Sequence, residues 1–430
     1  MIEPLRIGIA GLGTVGAAVV KILQEKHDLV AERCGRKIDV IAVSARSSQK
    51  KRSVDIKGLP WFDDAREMAV ATDVDVVVEL IGGEDGVARA VCESALAAGR
   101  HVVTANKALL ARHGMALAQE AEKAGVALAY EASVAGGIPI IKALREGFVG
   151  NHVSSIYGIL NGTCNYILTT MRETGRPFSD VLAEAQELGY AETDPTFDID
   201  GTDTAHKLAL LAGVAFGSEV NFSSVHVEGI RHITPADIAF SDELGFRIKL
   251  LGIARKNSNG IVQCVYPCMV SKDTPLAHIE GVFNAVVAVG DELGTGVLQG
   301  QGAGAGPTAT AVVADIVDIA RGRIFPAFSV PVSGLKKFDQ ISISERVGPY
   351  YVRLTVVDRP GVIADISAAL RDEDVSVEAL LQRGLSQEGS VPVVLTLHET
   401  QEEAIQRALK RIELLDSVVE PPCMIRIEQF

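Results

Sequence analysis

Between Tyr190 and Lys207 the chain sets five carboxylates, Glu192, Asp194, Asp198, Asp200 and Asp203, ahead of one lysine. Pro195 and Gly201 break this stretch into turns, and an apolar helical pattern (Leu208, Leu211, Ala212) follows it. Carboxylates gathered at turns beside an ammonium group suit a site that holds a small cationic substrate and moves a proton. Asp200-Gly-Thr-Asp203 reads as a helix start, with Asp200 capping free amides and Asp203 in the first turn. Asp203 and Lys207 are four apart and share a helix face. The plain alternative is an exposed ion pair worth about 0.3–0.5 kcal/mol. The elements around the segment have to decide between the two.

At 430 residues, 47% hydrophobic and 22% charged, the chain is expected to fold as two or three globular domains. A net charge of −14 argues against nucleic acid or an anionic membrane as partner. The six cysteines show no disulfide framework and no paired ligand spacing, which suits buried thiols in a reducing cytoplasm. A strand pattern begins almost at the N-terminus, so no signal peptide is expected, and no apolar run is long enough to span a bilayer.

Leu5 to Ala10 is a short apolar strand pattern that runs into Gly11-Leu12-Gly13-Thr14-Val15-Gly16 and then a helical pattern. In that setting Gly11 permits the tight turn, Gly13 lets backbone approach a pyrophosphate, and Gly16 allows close helix–strand packing. The helix amides and dipole then attract phosphate. The next strand, from Ile38 to Val43, ends in Ser44-Ala45-Arg46, with Lys50, Lys51 and Arg52 beyond it. An acidic residue there would bond ribose hydroxyls; basic and hydroxyl residues suit a 2′-phosphate, so NADP(H) is favoured and NAD(H) left open. Further strand patterns at 74–80, 101–104 and 127–130, with helices between, predict a doubly wound parallel sheet.

Ligands bind beyond the carboxyl ends of such strands. One strand end carries Thr104-Ala-Asn-Lys107, where a loop lysine facing water is an equal alternative. Another carries Glu131-Ala-Ser-Val134-Ala-Gly136-Gly137-Ile138-Pro139, which could offer carbonyls and a carboxylate to a hard cation, although turn chemistry alone explains it. From about residue 140 the alternation breaks into strand patterns at 153–160, 224–229, 249–256 and 261–269, fitting a substrate-binding and oligomerisation domain. A nicotinamide fold beside the acidic segment implies hydride transfer between an alcohol and a carbonyl. Such a reaction needs a group that exchanges the hydroxyl proton; Lys207 can donate it, and Glu192 or Asp194 could hold a substrate amino group.

GLGTVG, TANK, YEASVAGGIPII, LNGTCNYIL, LGYAETDPTFDIDGTDTAHKLALLA and GAGAGPTA occur in this order over most of residues 1–330, and together they resemble the homoserine dehydrogenase family. The resemblance implies NAD(P)-dependent interconversion of L-homoserine and L-aspartate 4-semialdehyde, which feeds threonine, isoleucine and methionine synthesis. It implies Lys207 as proton donor or base, Lys107 as the second lysine at the reacting centre, and Glu192 as ligand of the substrate amino group. Asp198 and Asp203 would shape the pocket. The nucleotide would contact Leu12 to Val15, Arg46, Lys107 and the glycine loop around Gly304. Glu131 with the carbonyls of Val134, Gly136 and Ile138 resembles the family's monovalent cation site, usually sodium. Cys164 stands where NGTxNYIL more often has a hydroxyl residue, and His206 precedes the lysine; neither removes a role-bearing group.

Residues 300–321 read as a glycine turn and a helix returning to the nucleotide domain. Residues 326–348, punctuated by Pro and Ser, read as a linker. From Tyr350 the pattern is βαββαβ around an Asp358-Arg-Pro-Gly361 turn, which resembles the ACT domain; the resemblance implies feedback control by an amino acid, with threonine the expected one. A domain that only oligomerises is the alternative. The expected architecture is therefore α/β: a Rossmann-type domain (1–135, completed by 302–325), an α+β substrate and dimerisation domain (136–301), and a ferredoxin-like ACT domain (349–430) in a homodimer or homotetramer. An amino-acid sensor with an inactive dehydrogenase half is the competing reading, and intact Lys107, Glu192 and Lys207 argue against it.

Overall fold

A computed structural model describes residues 3–71, 73–382 and 389–430. Among these residues the first sheet has six parallel strands: β1 (Leu5–Ala10), β2 (Ile38–Ser44), β3 (Trp61–Phe62), β4 (Val76–Glu79), β5 (His101–Thr104) and β6 (Leu128–Ala129), in the order β3-β2-β1-β4-β5-β6. The run Val76-Val77-Val78 is fully buried, as a strand covered on both faces by helices requires. The two-residue β3 escaped the sequence reading, being too short to show a period. The helix Ala305–Ala320 packs against the helix Thr14–Glu25, so the chain does return to the nucleotide-binding sheet.

The second sheet is larger than the sequence suggested. Its strands are β7 (Val153–Ile159), β8 (His226–Val227), β9 (Phe246–Asn257), β10 (Gly260–Ser271), β11 (Phe283–Gly290), β12 (Gly294–Gln301), β13 (Val347–Val357), β14 (Val377–Gln382), β15 (Ser390–Gln401) and β16 (Cys423–Glu428). They run β12-β11-β7-β9-β10-β16-β13-β15-β14, with β8 beside β10. The last four, β16-β13-β15-β14, belong to a βαββαβ unit with the helices Val362–Arg371 and Glu402–Glu413 on it. This ferredoxin-like unit shares its sheet with the middle of the chain, because β16 pairs in parallel with β10, setting Cys268 opposite Arg426.

Segment 326–348, expected as a linker, is largely exposed or half-buried and is anchored at a few points. Phe328 is fully buried against Tyr130, and the Tyr130 hydroxyl donates to the Ala327 carbonyl at 2.7 Å. Further along, Lys336 bridges to Ser218, and Gln340 to Ile261. No helix among the described residues is long and apolar enough to cross a membrane.

Candidate active site

The helix Thr202–Phe216 is buried along nearly its whole length, which removes the exposed ion pair from consideration. Asp203 and Lys207 are 3% and 8% exposed. Lys207 Nζ donates to Asp203 Oδ2 at 2.6 Å and to the Leu160 carbonyl at 2.7 Å. The other carboxylate oxygen, Asp203 Oδ1, lies 2.9 Å from Lys107 Nζ. One buried carboxylate therefore bridges both lysines that the sequence singled out. Burial pushes the Asp203 carboxyl up, and the Lys207 and Lys107 ammonium groups more than offset it, so it sits well below the usual carboxylate range. The Asp203 charge in turn raises Lys107 against the effect of burial.

Each of these side chains is fixed by its element. Lys107 opens the helix Lys107–Ala124, whose N-cap Asn106 accepts from the Leu109 amide at 3.1 Å. Asn106 is anchored by its Nδ2, which donates to the Gly83 carbonyl at 2.6 Å, and by its amide, which donates to Thr104 Oγ1. The Thr104 hydroxyl donates to buried Glu79 at 2.6 Å, and the same carboxylate accepts the Ile81 and Gly82 amides. A cation at a helix N-terminus opposes the dipole, and Asp203 is the group that offsets it. Lys107 Nζ lies over the Phe197 ring, 5.8 Å from its centroid.

Asn161 is the residue that sequence reasoning missed. It follows β7, caps the helix Gly162–Thr174 through the Cys164 amide at 2.8 Å, and donates from Nδ2 to both Asp198 (2.9 Å) and Asp203 (3.0 Å). An Asn directly ahead of Gly-Thr and an apolar run was a readable capping signal; its second use was hidden. Burial, then repulsion from Asp203, raises the Asp198 carboxyl. Cys164 is buried, and its thiol donates to the Asp198 carbonyl at 3.3 Å. Asp194 accepts the Thr196 amide, as a turn residue should. Asp200, expected as the helix cap, instead pairs with Arg231, and Gly201 takes the cap position at φ 88°. That backbone angle suits glycine, and no side-chain cap forms there. Glu192 is exposed, on the Lys107 side of the site, where its charge adds to that of Asp203.

A cleft of about 880 Å³ opens beyond the carboxyl ends of β1, β2 and β4, walled by Gly11, Leu12, Gly13, Ser44 to Ser47, Lys50, Arg52, Arg66 and Leu80 to Gly82. A Cβ on Gly16 would lie 1.9 Å from the Gly11 carbonyl oxygen, whereas one on Gly13 would meet nothing within 4 Å. The loop is thus closed behind and open in front, the shape a pyrophosphate needs. Arg46 is in the wall. Thr14, Val15 and Gly16 lie in or behind the first helical turn, and Lys107 and Gly304 do not line the cleft. Gly304, at φ 115°, caps the helix Ala305–Ala320 next to Gly302, which leaves no room for a side chain on Gly136.

Glu131 is 1% exposed, and its two oxygens accept the Ile141 and Lys142 amides at 2.8 Å each. Its amide donates to Asp315 Oδ2 at 2.8 Å. Burial and the Asp315 charge push the Glu131 carboxyl up to about 7, and burial takes Asp315 to about 6. The nearest ammonium, Lys142, is shared with Asp318. Two buried carboxyls, Glu131 and Asp315, thus share one ammonium where the chain leads from Glu131 into the loop of Val134, Gly136 and Ile138. The Ile138 carbonyl also accepts the Ile140 amide at 2.8 Å.

Comparison with known proteins gives the family of the chain. The family models described as homoserine dehydrogenase, NAD binding domain, as homoserine dehydrogenase and as ACT domain match residues 11–131, 139–317 and 350–414. A homoserine dehydrogenase of Neisseria gonorrhoeae is 44% identical over 434 residues, covering 100% of this chain and 99% of that one. The crystal structure of a homoserine dehydrogenase from Thiobacillus denitrificans superposes with a TM-score of 0.93 at 42% identity, over 99% of this chain and 98% of that one. A hyperthermophilic archaeal homoserine dehydrogenase in complex with NADPH has a TM-score of 0.64 at 29% identity, over 74% of this chain and 97% of its own.

The bridge makes stability depend on pH. The depressed Asp203 carboxyl contributes stability that is fully present above its unfolded value, near pH 4, and is lost as pH falls below that. Asp203→Asn is therefore expected to unfold at a lower temperature than the wild type at pH 7, with the gap narrowing progressively as pH is taken from 7 to below about 4. Thermal unfolding across that range checks it; a gap that does not change with pH would contradict the bridge.

Proposed function

This chain belongs to the homoserine dehydrogenase family, and on that premise we propose how its residues divide the work of the NAD(P)-dependent interconversion of L-homoserine and L-aspartate 4-semialdehyde. The observation that carries the proposal is Asp203, with one oxygen on each lysine. Lys207 has three N–H donors, and two are held by Asp203 and Leu160. The third has no protein acceptor among the described residues and can point at a substrate oxygen. Lys207 gives its proton to that oxygen as the aldehyde is reduced, and takes it back in the reverse direction. Lys107 steadies the same oxygen as charge develops, and Asp203 aims both ammonium groups. Glu192 holds the substrate amino group at the solvent side, and Asp198, fixed by Asn161, shapes the pocket. The nicotinamide, when bound in the cleft, supplies or takes the hydride.

NADP(H) is the favoured cofactor. Arg46, Lys50, Arg52 and Arg66 line the cleft beyond β2. The carboxylates there are already occupied, since Asp64 pairs with Arg66 and Asp63 accepts the Trp61 indole N–H. The NADPH complex of the archaeal relative supports the same reading. The two buried carboxyls on one ammonium support a monovalent cation, sodium by size and donor type, held by Glu131 and the carbonyls of Val134, Gly136 and Ile138. The ACT domain supports feedback by threonine. The exposed edge strand β12, with Leu293 and Val297 open to solvent nearby, supports a homodimer or homotetramer.

Following NADPH oxidation with aspartate semialdehyde tests the reaction, and adding threonine tests the feedback. Turnover that falls with threonine is expected; absent turnover would sink the enzyme reading, and turnover indifferent to threonine the regulatory one. Lys207→Ala should lower kcat by about 10²–10⁴-fold with the KM for NADPH within about twofold; the opposite split would reject the proton-transfer role. Arg46→Ala should raise the KM for NADPH by about tenfold and leave that for NADH nearly unchanged. Equal effects on both cofactors would remove Arg46 from phosphate recognition.

A further inference from the structure

The C-terminal strand β16 reaches into the catalytic half of the molecule at a place the reaction does not use. Arg426, 1% exposed, makes a two-pronged pair with Glu228, Nη1 to Oε2 at 2.8 Å and Nη2 to Oε1 at 2.7 Å. Its Nε donates to Glu402 Oε2 at 2.8 Å, so the guanidinium joins an acid of the C-terminal domain to one of the substrate domain. It also lies over the Tyr266 ring, 4.3 Å from the centroid. Such a planar, fully engaged guanidinium fixes the position and the angle of its partners.

Gly229, Ile230 and Arg231, directly after Glu228 in the chain, grip the acidic loop of the active site. A Cβ on Gly229 would lie 2.3 Å from the Ile199 carbonyl oxygen, so this backbone rests directly on that of the loop. The Ile230 amide donates to the same carbonyl at 2.9 Å. Arg231 pairs with Asp200 and donates to Thr196 Oγ1 at 3.3 Å. Between Thr196 and Asp200 sits Asp198, which shares Asn161 with the lysine bridge. A second contact runs in parallel, because the Phe430 ring stacks on Tyr157 at 3.8 Å and 12°. Tyr157 is in β7, the strand that delivers Leu160 and Asn161 to Lys207 and Asp203.

We propose that Glu228 is a positioning residue: held by Arg426, it sets the pose of Thr196–Asp200, and with it Asp198, according to the placement of the ACT domain. The proposal rests on the reading of Asp198 as a pocket residue and of the ACT domain as regulatory. It makes β16 the element through which a change in the C-terminal domain reaches the substrate without touching the cofactor cleft. His226, 2.6 Å from Glu228, Glu402, Tyr266 and His232 are the other ionisable groups around this contact.

Glu228→Gln in the full chain keeps the side-chain shape and leaves Arg426 paired with Glu402. The KM for homoserine is expected to rise by about tenfold, with the KM for NADP+ within about twofold. Amide exchange of Ile230 and of 196–203 should quicken in step. A folded variant with wild-type homoserine KM, or with wild-type exchange across 196–203, overturns the proposal. Should Glu228→Gln not accumulate folded, Glu228→Asp keeps the charge but shortens the reach, and the same two readouts with the same outcomes decide. Absence of homoserine turnover in the wild type would instead sink the functional reading, and the exchange measurement would still decide whether Glu228 positions the loop.

Discussion

Two ammonium groups can share one partly dry site only if an anion stands between them. In this molecule that anion is Asp203, and most of the catalytic half can be traced from it. One oxygen belongs to Lys207, four residues on in the same helix, and the other to Lys107, from the nucleotide-binding domain. The carboxylate therefore also ties the nucleotide-binding domain to the middle of the chain. Removing one partner of such a buried cluster leaves an uncompensated charge, at a cost of about 3–5 kcal/mol. Asn161 and the Leu160 carbonyl, both from the end of β7, complete the shell. Lys107 opens its helix, Asn161 follows β7, and Lys207 lies one turn on from Asp203 in the same helix.

Much of this was legible in the sequence because it is local. The dinucleotide loop shows in Gly11, Gly13 and Gly16, each glycine answering to a contact that a side chain would block or to space that a ligand needs. The i,i+4 spacing of Asp203 and Lys207 announced a shared face. Their burial did not show, because it depends on sheet and helices packed around them from elsewhere. The Lys107–Asp203 contact spans two domains, and spacing says nothing of such a distance. Asp200 was misread for a related reason: a good cap residue lost that role to Gly201 once Arg231, thirty-one residues away, offered a charge. The Asn161 cap could have been found from its sequence, but its bonds to Asp198 and Asp203 could not.

Non-local pairing also explains the least expected feature, a sheet shared by the substrate and C-terminal domains. The βαββαβ order was visible in turn residues and alternation, yet nothing in the β16 sequence says that its free edge meets β10. Once paired, it carries Arg426 and Glu428 into the interior, where Glu228, Glu402, Arg255 and Arg346 receive them. Buried ion pairs add little net stability, but they fix register and angle. A regulatory domain attached in this way has its placement tied to that of the substrate loop.

The central claim is that Lys207 and Lys107, bridged by Asp203, converge on the reacting oxygen. A crystal structure of the ternary complex with NADP+ and homoserine tests it most directly. The bridge predicts the substrate hydroxyl within hydrogen-bonding distance of both Nζ atoms, with Asp203 still shared between them. A hydroxyl out of reach of Lys207, or an Asp203 turned from the lysines to the substrate, would contradict it.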